Sequence, residues 1–175
     1  MMKSQNQHGA AMMELLIAML IIAFGILGFV GLQAQTALSQ LEGYQRSQAL
    51  ILISDISERI ALNRANAAAY VGNNIGTSDP GDCTTLTDRA ARDLCEWSLS
   101  LQGAAEVQGT AKLGAMTGAR GCITSPAANQ YLISIAWQGV QATGAPPNAC
   151  GQDAYSSESL RRTVTTVVQI ATLAS

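Results

Sequence analysis

From Leu15 to Leu32 the chain carries no charged or strongly polar side chain, and the segment before it, Met1 to Gly9, is short and polar. A run of that length crosses the hydrocarbon core of a bilayer, which takes roughly 20 apolar residues. Helix is the only open-chain form that satisfies its own backbone there. Past the run, apolar residues thin out into a stripe. Ala49, Leu52, Ile53, Ile56 and Ile60 share one helical face, while Asp55, Glu58, Arg59 and Arg64 lie off it. Proline is absent before Pro80. One helix is therefore predicted from Ala11 to Ala68, apolar all round in its first half and one-faced in its second.

Beyond the helix the pattern shortens. Gly72 to Asp82 is rich in Gly, Asn, Ser, Asp and Pro and reads as a loop. Asp88 to Leu101 reads as a short helix, with Ala91, Leu94, Cys95, Ser98 and Leu101 on one face and Trp97 beside it. Gly103 to Gly118 is irregular. Arg120 to Thr124 is a candidate strand. Tyr131, Ile133, Ile135 and Trp137 alternate with polar residues, as in a half-buried strand. Gly144 to Gln152 is a loop holding Pro146 and Pro147, and Thr163 to Leu173 is a β-branched last strand. A long helix packed on a small antiparallel sheet is an α+β fold.

Charge changes the picture at two places. Lys3 precedes the apolar run and the next basic residue, Arg46, lies well after it. That bias predicts a single-pass protein with a cytoplasmic N-terminus and an exported remainder. Glu14 is the second place, an acid near the start of the apolar segment. At the bilayer centre a carboxylate costs about 2.5–3.5 kcal/mol, and less near the interface, so a plain anchor gains nothing from it. A secretory signal peptide has an apolar stretch of only about 7–15 residues and then a cleavage site. This run is longer and continues straight into a helical pattern. The length also disfavours a buried core helix. If the chain is cut between Gly9 and Ala10, Ala10 becomes a charged amine and Glu14 the fifth residue of the product. The carboxylate then pairs most readily with the amine of a neighbouring subunit, which would set the axial step between them.

The stretch Gly9-Ala10-Ala11-Met12-Met13-Glu14-Leu15-Leu16-Ile17-Ala18 resembles the class III signal of type IV prepilins. That resemblance implies cleavage by prepilin peptidase after Gly9, N-methylation of Ala10, and an assembly role for Glu14. Ala10 departs from the Phe or Met common at that position. Phe24 to Gln33, Tyr44 to Ala49, Ser54 to Ile60 and Asn63-Arg64 look like the PilV-type minor pilins, the type IV pilus modification proteins. The likeness covers about the first 70 residues. It implies a pilin-like fold and a minor pilin that takes part in assembly or priming of type IV pili, with a place at the fibre tip supporting adhesion or twitching motility. Expected partners are other minor and major pilins, the prepilin peptidase, the inner-membrane assembly platform and inner-membrane lipid. A pseudopilin of a type II secretion system, and a tip-borne binding module for surfaces or DNA, are the alternatives. The expected organisation is a removed leader (1–9), a transmembrane and assembly half-helix (10–33), an amphipathic half-helix (34–69) and a disulfide-stabilised periplasmic domain (70–175).

Cys83, Cys95, Cys122 and Cys150 all follow the membrane run, in the exported part, where disulfides are expected. Sequence alone leaves all pairings open. Cys83–Cys95, across the loop into the short helix, and Cys122–Cys150, tying a strand to the loop before the last strand, are favoured. Their spacing does not suit a zinc site, and a catalytic thiol would lack a His partner, because the one histidine is His8. No catalytic motif is present, so no enzyme, metal or cofactor is expected. Asp88, Asp93 and Glu96 interleave with Arg89 and Arg92, which reads as a solvated helix face with pairs such as Asp88–Arg92. The net charge is -2 and no basic block exists, so no nucleic-acid partner is expected. The pair Arg161-Arg162 reads as a solvated strand end. Gly25, Gly28 and Gly31 suit either an ordinary membrane helix or close helix–helix approach.

Overall fold

The computed structural model describes residues 8–104, 107–108, 111–112 and 116–171, with no side-chain description for 8–11, 107, 108 and 111. Met1 to Gln7 of the expected leader, part of the 103–118 stretch and the expected end of the last strand at Leu173 lie outside the described residues. The order is α1 (His8–Leu62), a 3-10 turn (Arg64–Tyr70), β1 (Gly72–Ile75), α2 (Arg89–Leu101), β2 (Val107–Gln108), β3 (Ala111–Lys112), β4 (Arg120–Ala127), β5 (Gln130–Gln138) and β6 (Arg161–Gln169). Strands β1-β4-β5-β6 form an antiparallel sheet in that spatial order, and β2 pairs with β3. The fold is α+β.

The chain divides into two compact units, Met1–Leu41 and Glu42–Ser175. In the first, every described residue from Met12 to Ala37 is exposed. Side chains such as Leu16, Ile21, Phe24, Leu27 and Leu32 are more than half accessible. That helix is long and apolar enough to cross a membrane.

In the second unit, α1 turns one face inward. Ala49, Ile53, Ile56 and Ile60 join Trp97 and Leu101 of α2 and Ile123, Ile133 and Ile135 of the sheet in one core. Each such large apolar side chain contributes about 1.5–3 kcal/mol by leaving water. The alternation of β5 places Tyr131, Ile133, Ile135 and Trp137 on the core face. On the opposite face Ala136, Cys122 and Cys150 form a small cluster with Tyr155 against it. Gly121 lets α2 lie close on the sheet, because a Cβ there would sit 2.2 Å from Trp97 Cη2. Disulfides join Cys83 to Cys95 and Cys122 to Cys150, with Cα–Cα separations of 5.6 and 5.8 Å.

The stretch read as irregular holds the short β2–β3 pair, and two further elements differ from the sequence reading. The α-helix ends at Leu62 instead of continuing to Ala68. Asn63 has φ -114° and ψ 38°, its side chain donates to the Tyr70 hydroxyl at 3.2 Å, and its Oδ1 accepts from Asn66 Nδ2 at 3.2 Å. Asparagine side chains that bond locally compete with the helical ladder, so the chain tightens into 3-10 geometry. The segment Gly72–Ile75, read as loop, is a strand paired with β4, Gly72 opposite Ile123 and Ile75 opposite Gly121. Its composition resembles a turn, and the strand exists because β4 offers an edge.

Candidate functional site

The backbone of α1 carries Gly9 and Ala10 in its first turn and Glu14 one turn further on. Glu14 is exposed, with apolar residues on both sides in sequence. Among the described residues no basic side chain pairs with it. The arrangement is a helix with apolar side chains on all faces, one acid near its start, and no cover. A Cβ at Gly25, Gly28 or Gly31 would meet nothing within 4 Å.

In the folded domain the charges are arranged otherwise than expected. Asp88 does not pair with Arg92. Its side chain caps α2, accepting from Ala91 N at 2.8 Å. An aspartate there satisfies an orphan amide at the helix start, which is its stronger use. Asp93, read as part of a solvated face, is buried. It accepts the Tyr70 hydroxyl hydrogen and a bond from Arg59 Nη1 at 3.2 Å. Arg59 also reaches Glu96 at 2.6 Å and Asp55 at 3.1 Å. Burial works against the Arg59 charge, and the surrounding Glu96, Asp55 and Asp93 outweigh it, so the guanidinium holds its proton more tightly than usual. Burial, then the hydrogen bond to Asp93, pushes the Tyr70 phenol up to about 12. This network joins α1, the 3-10 turn and α2.

Arg161 and Arg162 are not a solvated strand end either. Arg161 is 3% exposed and donates to the carbonyls of Pro146 (3.1 Å), Asn148 (2.6 Å) and Cys150 (3.0 Å). Its Nε donates to Glu158 at 2.7 Å, which lowers the Glu158 carboxyl pKa. Arg162 donates to the carbonyls of Gln141 and Ser159 and to Glu42 Oε1. Glu42 also accepts from the amides of Val140 (3.1 Å) and Gln141 (3.0 Å). Chiefly the Gln141 amide, against opposing burial and with Arg162 helping, holds its carboxyl below the usual range. Each cation shapes the connection between β5 and β6, because buried carbonyls need donors and guanidinium offers several in a fixed fork.

Sequence reading named Gly9, Ala10, Glu14 and the cysteines. It missed Glu42, Tyr70 and the buried role of Asp93 and Arg161. The available signal was weak, amounting to isolated acids and a tyrosine beside apolar positions. Among the described residues no group of three His, Cys, Asp or Glu is placed to hold a metal ion. Compared with known protein families, curated proteins and solved structures, the chain matches none.

Proposed function

We propose that the chain is a minor pilin of a type IV pilus, similar to the PilV type, that joins other minor and major pilins in priming or capping the fibre. In this reading prepilin peptidase cuts between Gly9 and Ala10, Ala10 is methylated, and the apolar half of α1 rests in inner-membrane lipid until the assembly platform lifts it into the fibre. The domain stays periplasmic until then and catalyses nothing.

One observation carries the reading. A lone acid, Glu14, stands one helical turn from Ala10 at the head of a segment whose side chains are exposed throughout Met12 to Ala37. Such a surface needs lipid or other helices around it. A carboxylate in that surroundings needs a positive partner. The amine released at Ala10 of an adjoining subunit supplies one, and only the correctly advanced neighbour brings it to Glu14. The disulfide-closed domain suits an oxidising compartment.

Replacing Glu14 with Ala tests it. The variant is expected to insert and to be processed, and to be missing from sheared pili by immunoblot. Normal incorporation would remove the pairing role.

A further inference from the structure

We infer that the outer edge of β6 accepts an extended segment of a partner protein as a fifth strand, antiparallel to β6, with an acidic side chain near that segment's C-terminal end held by Arg46. The inference concerns the folded domain and uses neither Glu14 nor the apolar half of α1, so it stands or falls apart from the pilin reading.

The edge follows from the ladder. Gly139 N–H donates to Leu160 O and Ile170 N–H to Asn129 O, both at 2.8 Å, and the register runs unbroken from Gln138↔Arg161 to Gln130↔Gln169. Alternation then aims the amides and carbonyls of Val164, Thr166 and Val168 at β5. Those of Thr163, Thr165, Val167 and Gln169 point away from the sheet. Among the described residues these outward groups have no hydrogen-bond partner. Thr165, Val167 and Gln169 are exposed.

Edges of this kind are normally blunted by shortness, bulges, proline or charge. The other edge of the sheet is: β1 has four residues and a register shift. From Thr163 to Gln169 β6 has no such device, only Thr, Val and Gln in regular register. An unprotected β-branched edge opposite a protected one is the form that strand addition uses, where main-chain bonds supply affinity.

Charge selects the partner. A recess of about 310 Å³ at the start of this edge is lined by Glu42, Arg46, Trp137, Arg162 and Thr163. Glu42 is already held by Arg162 and by two amides. Arg46 is exposed, and among the described residues it pairs with no carboxylate. The recess thus keeps one uncommitted positive charge beside Thr163, the first outward amide. A strand antiparallel to β6 begins near Gln169 and passes Thr163 with its C-terminal end, and the residue it sets opposite Arg162 shares the face of Arg162 and Trp137, so that is where a carboxylate meets Arg46.

The test uses the isotope-labelled full chain in detergent micelles and an acetylated, amidated peptide, Thr-Val-Thr-Val-Thr-Val-Thr-Glu, with a Gln-ended twin. The Glu peptide is expected to slow amide hydrogen exchange at Thr163, Thr165, Val167 and Gln169 about tenfold or more, leaving Val164, Thr166 and Val168 unchanged. The Gln twin, and Arg46→Gln in the protein, should each weaken binding about tenfold through loss of a charge-assisted bond. Thr165→Pro should abolish it. If that variant loses protection at Val164, Thr166 and Val168 it has unfolded, and Arg46→Gln, on an exposed helix position, decides. No added protection at the outward amides overturns the strand-addition site. Equal binding of the two peptides overturns the role of Arg46. Protection that rises with protein concentration and a doubled mass, without peptide, assigns the edge to a second copy and overturns the acidic partner.

Discussion

The indole N–H of Trp97 donates to the backbone carbonyl of the half-buried Leu52 at 2.9 Å, so α2 is bonded directly to α1. Trp97 has no exposed surface, and its ring fills the space that Gly121 leaves open on β4. One side chain thus registers α1, α2 and the sheet.

Trp97→Phe keeps an aromatic ring and removes the donor. A loss of about 1–3 kcal/mol is expected, from the bond and from the gap left by the smaller ring. Urea unfolding of the full chain in detergent, followed by circular dichroism, measures it. An unchanged midpoint would show that the bond contributes nothing net.

Tyr70 sets a limit at high pH. Its phenol is raised from 10.0 to about 12 in the folded state. The unfolded chain therefore loses its proton first. The stabilisation is complete below pH 10 and falls as pH rises to 12, by on the order of 2 kcal/mol. Tyr70→Phe should flatten that part of the stability profile relative to the native chain.

The two disulfides differ in the loop they close. Cys83 and Cys95 are 12 residues apart, Cys122 and Cys150 28 apart. Replacing one pair by Ser should cost about 3 kcal/mol and the other about 3.5 kcal/mol in the chain-entropy view. Thermal unfolding of the two double variants checks the order.

Gly9→Trp is expected to leave an uncut chain, seen as a heavier band and an N-terminus at Met1 or Met2. A band of mature size would refute the cleavage assigned between Gly9 and Ala10.

Periodicity made much of the fold legible. The stripe Ala49, Ile53, Ile56 and Ile60 does face the core, and the alternation through Tyr131 to Trp137 is the centre of the sheet. These patterns are local, and local patterns can be read from one chain. β1 was not legible, because Gly-Asn-Asn-Ile becomes a strand only beside β4. Asp93 shows the same limit for polar residues. Its helix face looked solvated until Tyr70 and Arg59, from other elements, arrived over it. The cysteine pairing was one of three in principle, and proximity in the fold selects it. The apolar segment with Glu14 was legible from composition alone, because its significance lies in what is missing around the charge.

Arg161 fixes the excursion between β5 and β6 by grasping the carbonyls of Pro146, Asn148 and Cys150 from beneath. One side chain thus ties three separated points of the excursion together, through a fork that offers several donors in one plane. Exchanging it for a residue without that fork would leave three peptide oxygens without their donor at once, so the path of the whole connection hangs on a single position.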